Sequence, residues 1–145
     1  MGRALLGALL ALCIVGPASA QTTTVPCRAG HFLSAATNNA QWISPGARNL
    51  CGLLSVTNIT STTALYLRVY DVAGPPNCAG PGPAPVLTFP VPVNGVAALN
   101  VAGFTIALPT DIVFNNGIGM CLTGAAGDTD NTAAVTGVQV NYGAR

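Results

Sequence analysis

The chain has 145 residues, 50% of them hydrophobic and 6% charged, with a formal net charge of +1. Beyond residue 20 the charges are Arg28, Arg48, Arg68 and Arg145 against Asp71, Asp111, Asp128 and Asp130, with no lysine and no glutamate. This excludes a nucleic-acid binder, which needs a basic stripe to displace counterions, and electrostatic attachment to anionic lipid.

Residues 1–20 read as a signal peptide. Arg3 supplies a positive start, and Ala4 to Val15 is an unbroken run of apolar and small residues. Gly16-Pro17 breaks a helix, and Ala18-Ser19-Ala20 is the small-residue pattern that precedes cleavage, here before Gln21. The run is too short for a transmembrane helix, which needs about 20 apolar residues. A lipoprotein reading through Cys13 is opposed by the large Leu12 directly before it. A membrane barrel needs aromatic girdles and alternating strands of about 9–11 residues, whereas aromatics make up 6% of this chain and Pro or Gly interrupts most runs. The expected location is secreted or periplasmic, with no membrane association after cleavage.

Removing those twenty residues from 145 leaves 125, enough to bury one core as a single domain. Gln21 to Pro26 is a threonine-rich lead, expected to be flexible, and residues 27–145 are expected to form the domain. Cys27, Cys51, Cys78 and Cys121 remain, and an even number in an exported chain points to disulfide bonds. Four cysteines allow three pairings; the expectation here is Cys27 with Cys51 and Cys78 with Cys121. Zinc is not expected, because no pair has C-x-x-C spacing and the single histidine, His31, is remote from them.

From Cys27 onward the pattern is short strands between turn residues. Leu53 to Ile59 is β-branched and aliphatic, and a polar turn follows to Thr63. Ala64 to Val72 alternates, placing Leu65, Leu67 and Val69 on one face and Tyr66, Arg68 and Tyr70 on a wet or partly wet opposite face. Gly74 to Pro85 holds five prolines and three glycines and is expected to be an exposed loop; Cys78 within it has little packing reason to exist unless tied down. Val86 to Val93 alternates around Pro90 and Pro92, which predicts an edge strand. Asn94-Gly95 marks a turn. Val96 to Leu108 reads as two extended pieces hinged near Gly103, with Pro109-Thr110-Asp111 as a turn. Ile112 to Phe114, the turn Asn115-Asn116-Gly117, a buried strand Ile118 to Thr123, a loop Gly124 to Thr132 and a closing strand Val135 to Tyr142 complete the chain. The predicted fold class is all-β, an antiparallel β-sandwich of seven to eight strands, jelly-roll or Ig-like.

Taken in order, Ser55-Val56-Thr57-Asn58, Leu65-Tyr66-Leu67-Arg68-Val69-Tyr70-Asp71, Pro85-Val86-Leu87-Thr88-Phe89-Pro90-Val91-Pro92, Asn116-Gly117-Ile118-Gly119-Met120-Cys121-Leu122-Thr123-Gly124 and Asp128-Thr129-Asp130-Asn131-Thr132 resemble a loose group of small β-sandwich proteins. That group is encoded by tailed phages and bacterial genomes, often near virion structural genes. The resemblance runs from about Leu53 to Tyr142 and rests on turn and strand signatures, so it implies a fold and carries over no functional residue. Virion proteins assemble in the cytoplasm and lack a cleavable signal, which sets this chain's first twenty residues apart from the group.

The inventory for chemistry is thin. A Ser-His-Asp triad would have to use His31 with Ser34 or Ser55, and no nucleophile-elbow pattern is present. Glycoside hydrolysis needs two carboxylates across a cleft, whereas Asp128 and Asp130 share one loop and Asp71 and Asp111 lie on separate turns. Asp128-Thr129-Asp130-Asn131 carries part of a calcium-loop pattern without its spacing or glutamate, and reads as an Asx turn. Asn58-Ile59-Thr60 fits the glycosylation pattern and is given no role. Tyr66, Arg68 and Tyr70 are the candidate binding face, against ordinary cross-strand pairing; Trp42 is expected to anchor the core or its rim. The expectation is no catalytic residue, no cofactor and no metal. It is a non-enzymatic protein with a structural or binding role, whose partners are other proteins or further copies of itself, the alternative being a phage-derived virion decoration or fibre-associated protein.

Overall fold

The computed structural model describes residues 25–35, 37, 39–59, 62–78, 82–94, 102–125, 127 and 136–145. Residues 1–20, expected to be a signal peptide, most of the threonine-rich lead, residues 95–101, and Asp128 and Asp130 with their calcium-like pattern lie outside these residues. Eight strands are present: β1 Arg28–Leu33, β2 Gln41–Pro45, β3 Arg48–Asn58, β4 Leu65–Asp71, β5 Leu87–Val91, β6 Ala102–Phe114, β7 Gly117–Thr123 and β8 Val138–Ala144. They form two antiparallel four-stranded sheets, in the orders β1-β8-β3-β6 and β2-β7-β4-β5. Each strand is followed by one in the other sheet, except that β4 leads to its own neighbour β5.

Period-two alternation builds the core. On the inner face of the first sheet, Phe32, Val140, Val56 and Phe104 stand in one row across β1, β8, β3 and β6. Leu65, Leu67 and Val69 of β4 face inward as expected, packed with Met120 and Leu122 of β7 and Val91 of β5. Every residue of β7 is buried, the pattern of a strand covered on both faces. β5 lies at the edge of its sheet, as Pro90 requires, because a proline lacks the ladder N–H.

The structure departs from the sequence pattern at β6. This is one 13-residue strand running through both Gly103 and Pro109, in place of two hinged pieces and a turn. Opposite β6, Leu50 pairs with Ile112 and Gly52 with Leu108, so β6 carries extra residues around Pro109. A proline is tolerated there because β6 is an edge strand and the irregularity takes up the missing N–H. Gly103 is required for close packing: a Cβ there would collide with the Val56 carbonyl.

The second departure is the outer face of β4. Arg68 and Tyr70 are buried. The connection from β4 to β5 folds back over this face and is held by the Cys78–Cys121 disulfide, with Cα atoms 5.8 Å apart. Tyr70, Cys78 and Cys121 form a small satellite cluster flanked by Val72. Pro76 packs over Gly119, where a Cβ would stand 3.1 Å from the proline ring. Arg68 donates to the carbonyl oxygens of Ala125 and Gly127, which closes the other side. Residues 72–78 thus form a cover rather than a free loop, while Gly82, Pro83 and Ala84 farther along the proline-rich segment are exposed as expected. The second disulfide, Cys27–Cys51, joins the start of β1 to β3 with Cα atoms 6.0 Å apart.

Candidate functional site

The sequence-derived candidates are dispersed. Ser34 is buried, and its hydroxyl accepts the Val138 N–H at 2.9 Å. Ser55 lies on the outer face of the first sheet and accepts from Thr105 at 3.1 Å. His31 is exposed on that face in strand β1. His31 pairs with Asn141 and Asn141 with Ser55, so the histidine and the serine stand two strand spacings apart, roughly 10 Å. Of the proposed binding face, Tyr66 is partly exposed, while Arg68 and Tyr70 lie beneath the cover and offer no stacking platform at the surface. Trp42 is about half exposed on the edge strand β2, outside the core. Asn58 is fully buried and donates to the Pro92 carbonyl.

The two described aspartates serve the backbone and the edges. Asp71, at the end of β4, accepts the N–H groups of Asn115 at 3.0 Å and Asn116 at 2.7 Å, and so caps the β6–β7 turn. The Asn116 N–H is the main cause holding its carboxyl below the ordinary value. Asp111 accepts from Asn49 at 2.9 Å and from the Arg145 guanidinium at 2.7 Å, and these two bonds lower its pKa in that order. Both groups bind a proton at lower pH when folded than when unfolded. Their stabilisation is therefore present above about pH 4 and is lost as pH falls through the folded values. Thermal melts are expected to change little from pH 7 to 5 and to drop below about pH 4. Asp71→Asn is expected to lower the melting temperature at pH 7 and to shrink the acid-dependent drop; an unchanged acid profile in this variant would remove Asp71 from the account.

A cleft opens where the edge strand β1 lies across from β2, larger than the hollow of about 290 Å³ that His31 and Asn141 line. The inner-face row Gly30, Tyr142, Leu54, Ile106 runs across the first sheet, and the next row is Arg28, Ala144, Leu50, Ile112. Gly30 contributes no side chain, and the Tyr142 ring occupies the room: a Cβ at Gly30 would stand 2.5 Å from its Cζ. The alternation of β1 puts Arg28 on the same inward side as Phe32, at the mouth of the two sheets. A cleft of about 540 Å³ results, with Ile43 and Ser44 of β2 opposite Tyr142 and Ala144. Arg28, Arg48 and Arg145 all line it.

These arginines are held differently. Arg145 is bonded to Asp111 and also donates to the Val25 carbonyl at 3.1 Å. Arg48 donates from Nε to the Ser44 hydroxyl at 3.0 Å and from Nη1 to the Ala47 carbonyl at 3.3 Å. The Arg28 side chain has no hydrogen-bond or ion-pair partner among the described residues, its backbone being paired in the β1–β8 ladder. Burial pushes the Tyr142 phenol up from its ordinary value, so it stays a neutral O–H group through the physiological range. Sequence reasoning missed this site because its residues are separated by up to 117 positions, from Arg28 to Arg145. The available signal was scarcity: where arginine is this rare, three of the four beyond residue 20 at one cleft is a departure from scatter.

Among the described residues, no three His, Cys, Asp or Glu side chains come together as a metal-binding group. Comparison with known proteins gives no match: no family model, no curated protein and no solved structure matches the chain.

Proposed function

We propose that the protein is an exported, disulfide-braced jelly-roll domain that binds a partner molecule and catalyses no reaction. The observation that carries this reading is the cleft between β1 and β2, a concavity within the range of about 300–1,000 Å³ common to small-molecule sites. The strand orders 1-8-3-6 and 2-7-4-5 support the jelly-roll reading, since two interlocked four-stranded Greek keys generate them. Two intramolecular disulfides support an oxidising compartment, in agreement with the signal-like residues 1–20. Ser34, Asp71 and Asp111 are each engaged in hydrogen bonds that hold the fold, which supports a binding role over catalysis.

Expression of the full chain in its host, followed by fractionation and intact-mass measurement, tests the export half. The expected species begins at Gln21, lies outside the cytosol and carries two disulfides. A full-length cytosolic species would contradict it. Ligand-dependent thermal protection across a panel of neutral, acidic and basic sugars and small acids tests the binding half, since a ligand selective for the folded state raises its stability.

A second reading, a phage-derived virion decoration or fibre-associated protein, is favoured by the outer face of the first sheet. The rows His31, Asn141, Ser55, Thr105 and Leu33, Gln139, Thr57, Gly103 cross all four strands without an acidic or basic side chain other than the histidine. Such a face suits packing against copies of itself or a capsid surface, and jelly rolls are common in capsids. Light scattering of the purified protein separates the two: concentration-dependent assembly favours the virion reading, and a monomer favours the binding domain.

A further inference from the structure

We propose that the β1–β2 cleft is a recognition site for a small organic anion, one that carries a carboxylate or a sulfate or phosphate ester on an apolar body. This deepens the binding-domain reading and rests on it.

Three observations support the ligand class. The first is charge. Arg28, Arg48 and Arg145 line one cavity from three separate parts of the chain. Asp111 neutralises Arg145, whereas Arg48 is bonded to uncharged oxygens and the Arg28 side chain to nothing among the described residues. Arg28 and Arg48 thus line the cleft with no carboxylate bonded to them, an arrangement that favours an anion and disfavours a cation. The second is geometry. A guanidinium is a planar fork that pairs with two oxygens of a carboxylate, sulfate or phosphate, and Arg28 is available for such a pair. Arg48 is already oriented by Ser44 and Ala47, which reduces the ordering cost of binding. The third is the apolar lining. Ile43, Ala144 and the Tyr142 ring supply contact area for a hydrocarbon or ring portion, while the neutral phenol of Tyr142 adds a donor without adding repulsion.

The experiment uses the exported protein and titration calorimetry at low salt, with phenylacetate, its neutral analogue phenylacetamide, phenyl sulfate and inorganic sulfate as probes. Phenylacetate and phenyl sulfate are expected to bind at least tenfold more tightly than phenylacetamide, and to weaken as salt is raised. Inorganic sulfate is expected to bind more weakly than phenyl sulfate, because it gains nothing from the apolar wall. Galacturonate against galactose distinguishes an acidic sugar end-group from a free aryl acid as the source of the anion. Arg28→Gln is expected to cost about tenfold in affinity for both organic anions. This site is exposed on an edge strand, so the variant is expected to keep the parent's melting temperature; Arg48→Gln provides an independent test of the same pocket. Equal binding of phenylacetate and phenylacetamide would overturn anion recognition, as would unchanged affinity in both arginine variants. In either case binding itself would survive, and with it the broader reading. Absence of binding by every probe would overturn the anion site, and the ligand panel would then judge the binding-domain reading by itself.

Discussion

Replacing Cys78 and Cys121 together by alanine is expected to lower the unfolding free energy by about 4 kcal/mol in the loop-closure argument, because the bridge closes 43 residues of chain. The magnitude is a large part of the roughly 5–15 kcal/mol that holds a typical domain folded. The same argument assigns about 3.5 kcal/mol to Cys27–Cys51, whose sequence separation is 24. Denaturant titration of the two double-alanine variants should therefore rank the 78–121 pair as the more damaging. Its loss also has a local consequence. The β4–β5 connection is held against the outer face of β4 and β7 by this bond, so its removal is expected to expose Tyr70 and to open the cover to proteolysis. Equal stability of this variant and the parent would show that the cover is held by packing alone.

Arg68→Ala is expected to cost about 3–5 kcal/mol, the range for removing a large buried side chain or one member of a buried polar group. Arg68 is fully buried on the outer face of β4, and it donates to the carbonyl oxygens of Ala125 and Gly127. Truncation creates a cavity and leaves those acceptors without this donor. Arg68→Met keeps most of the volume and should lose only the hydrogen-bond share, about 1–3 kcal/mol. If alanine and methionine proved equally mild in thermal and denaturant melts, Arg68 would be an exposed surface residue and the cover over β4 would be misplaced.

How much of this was legible in the sequence depends on how local the determinant is. The inward stripe Leu65, Leu67, Val69 follows from period-two alternation, and the structure buries all three. The edge position of β5 follows from Pro90, a restriction carried by a single residue. Both cysteine pairings appear in the fold as expected; Cys78 was informative because nothing else explains a cysteine in a proline and glycine segment. Non-local determinants were hidden. Arg68 and Tyr70 look like a wet face in sequence because the residues that cover them, from the 72–78 segment and around Gly127, arrive from other parts of the chain. Pro109-Thr110-Asp111 looks like a turn because its composition is that of one, yet pairing with β3 carries β6 straight through it. The cleft was invisible for the same reason: Gly30, Arg48, Tyr142 and Arg145 are brought together only by the β1–β8–β3 pairing and the return of β2 across the edge.

Disulfide mapping of the protein recovered from its native compartment is the most direct test. Digestion without reductant, followed by mass spectrometry of the linked peptides, should give Cys27 joined to Cys51 and Cys78 joined to Cys121. Cys27 joined to Cys78 or Cys121 would contradict the strand arrangement, and four free thiols would contradict the oxidising compartment, on which the account stands.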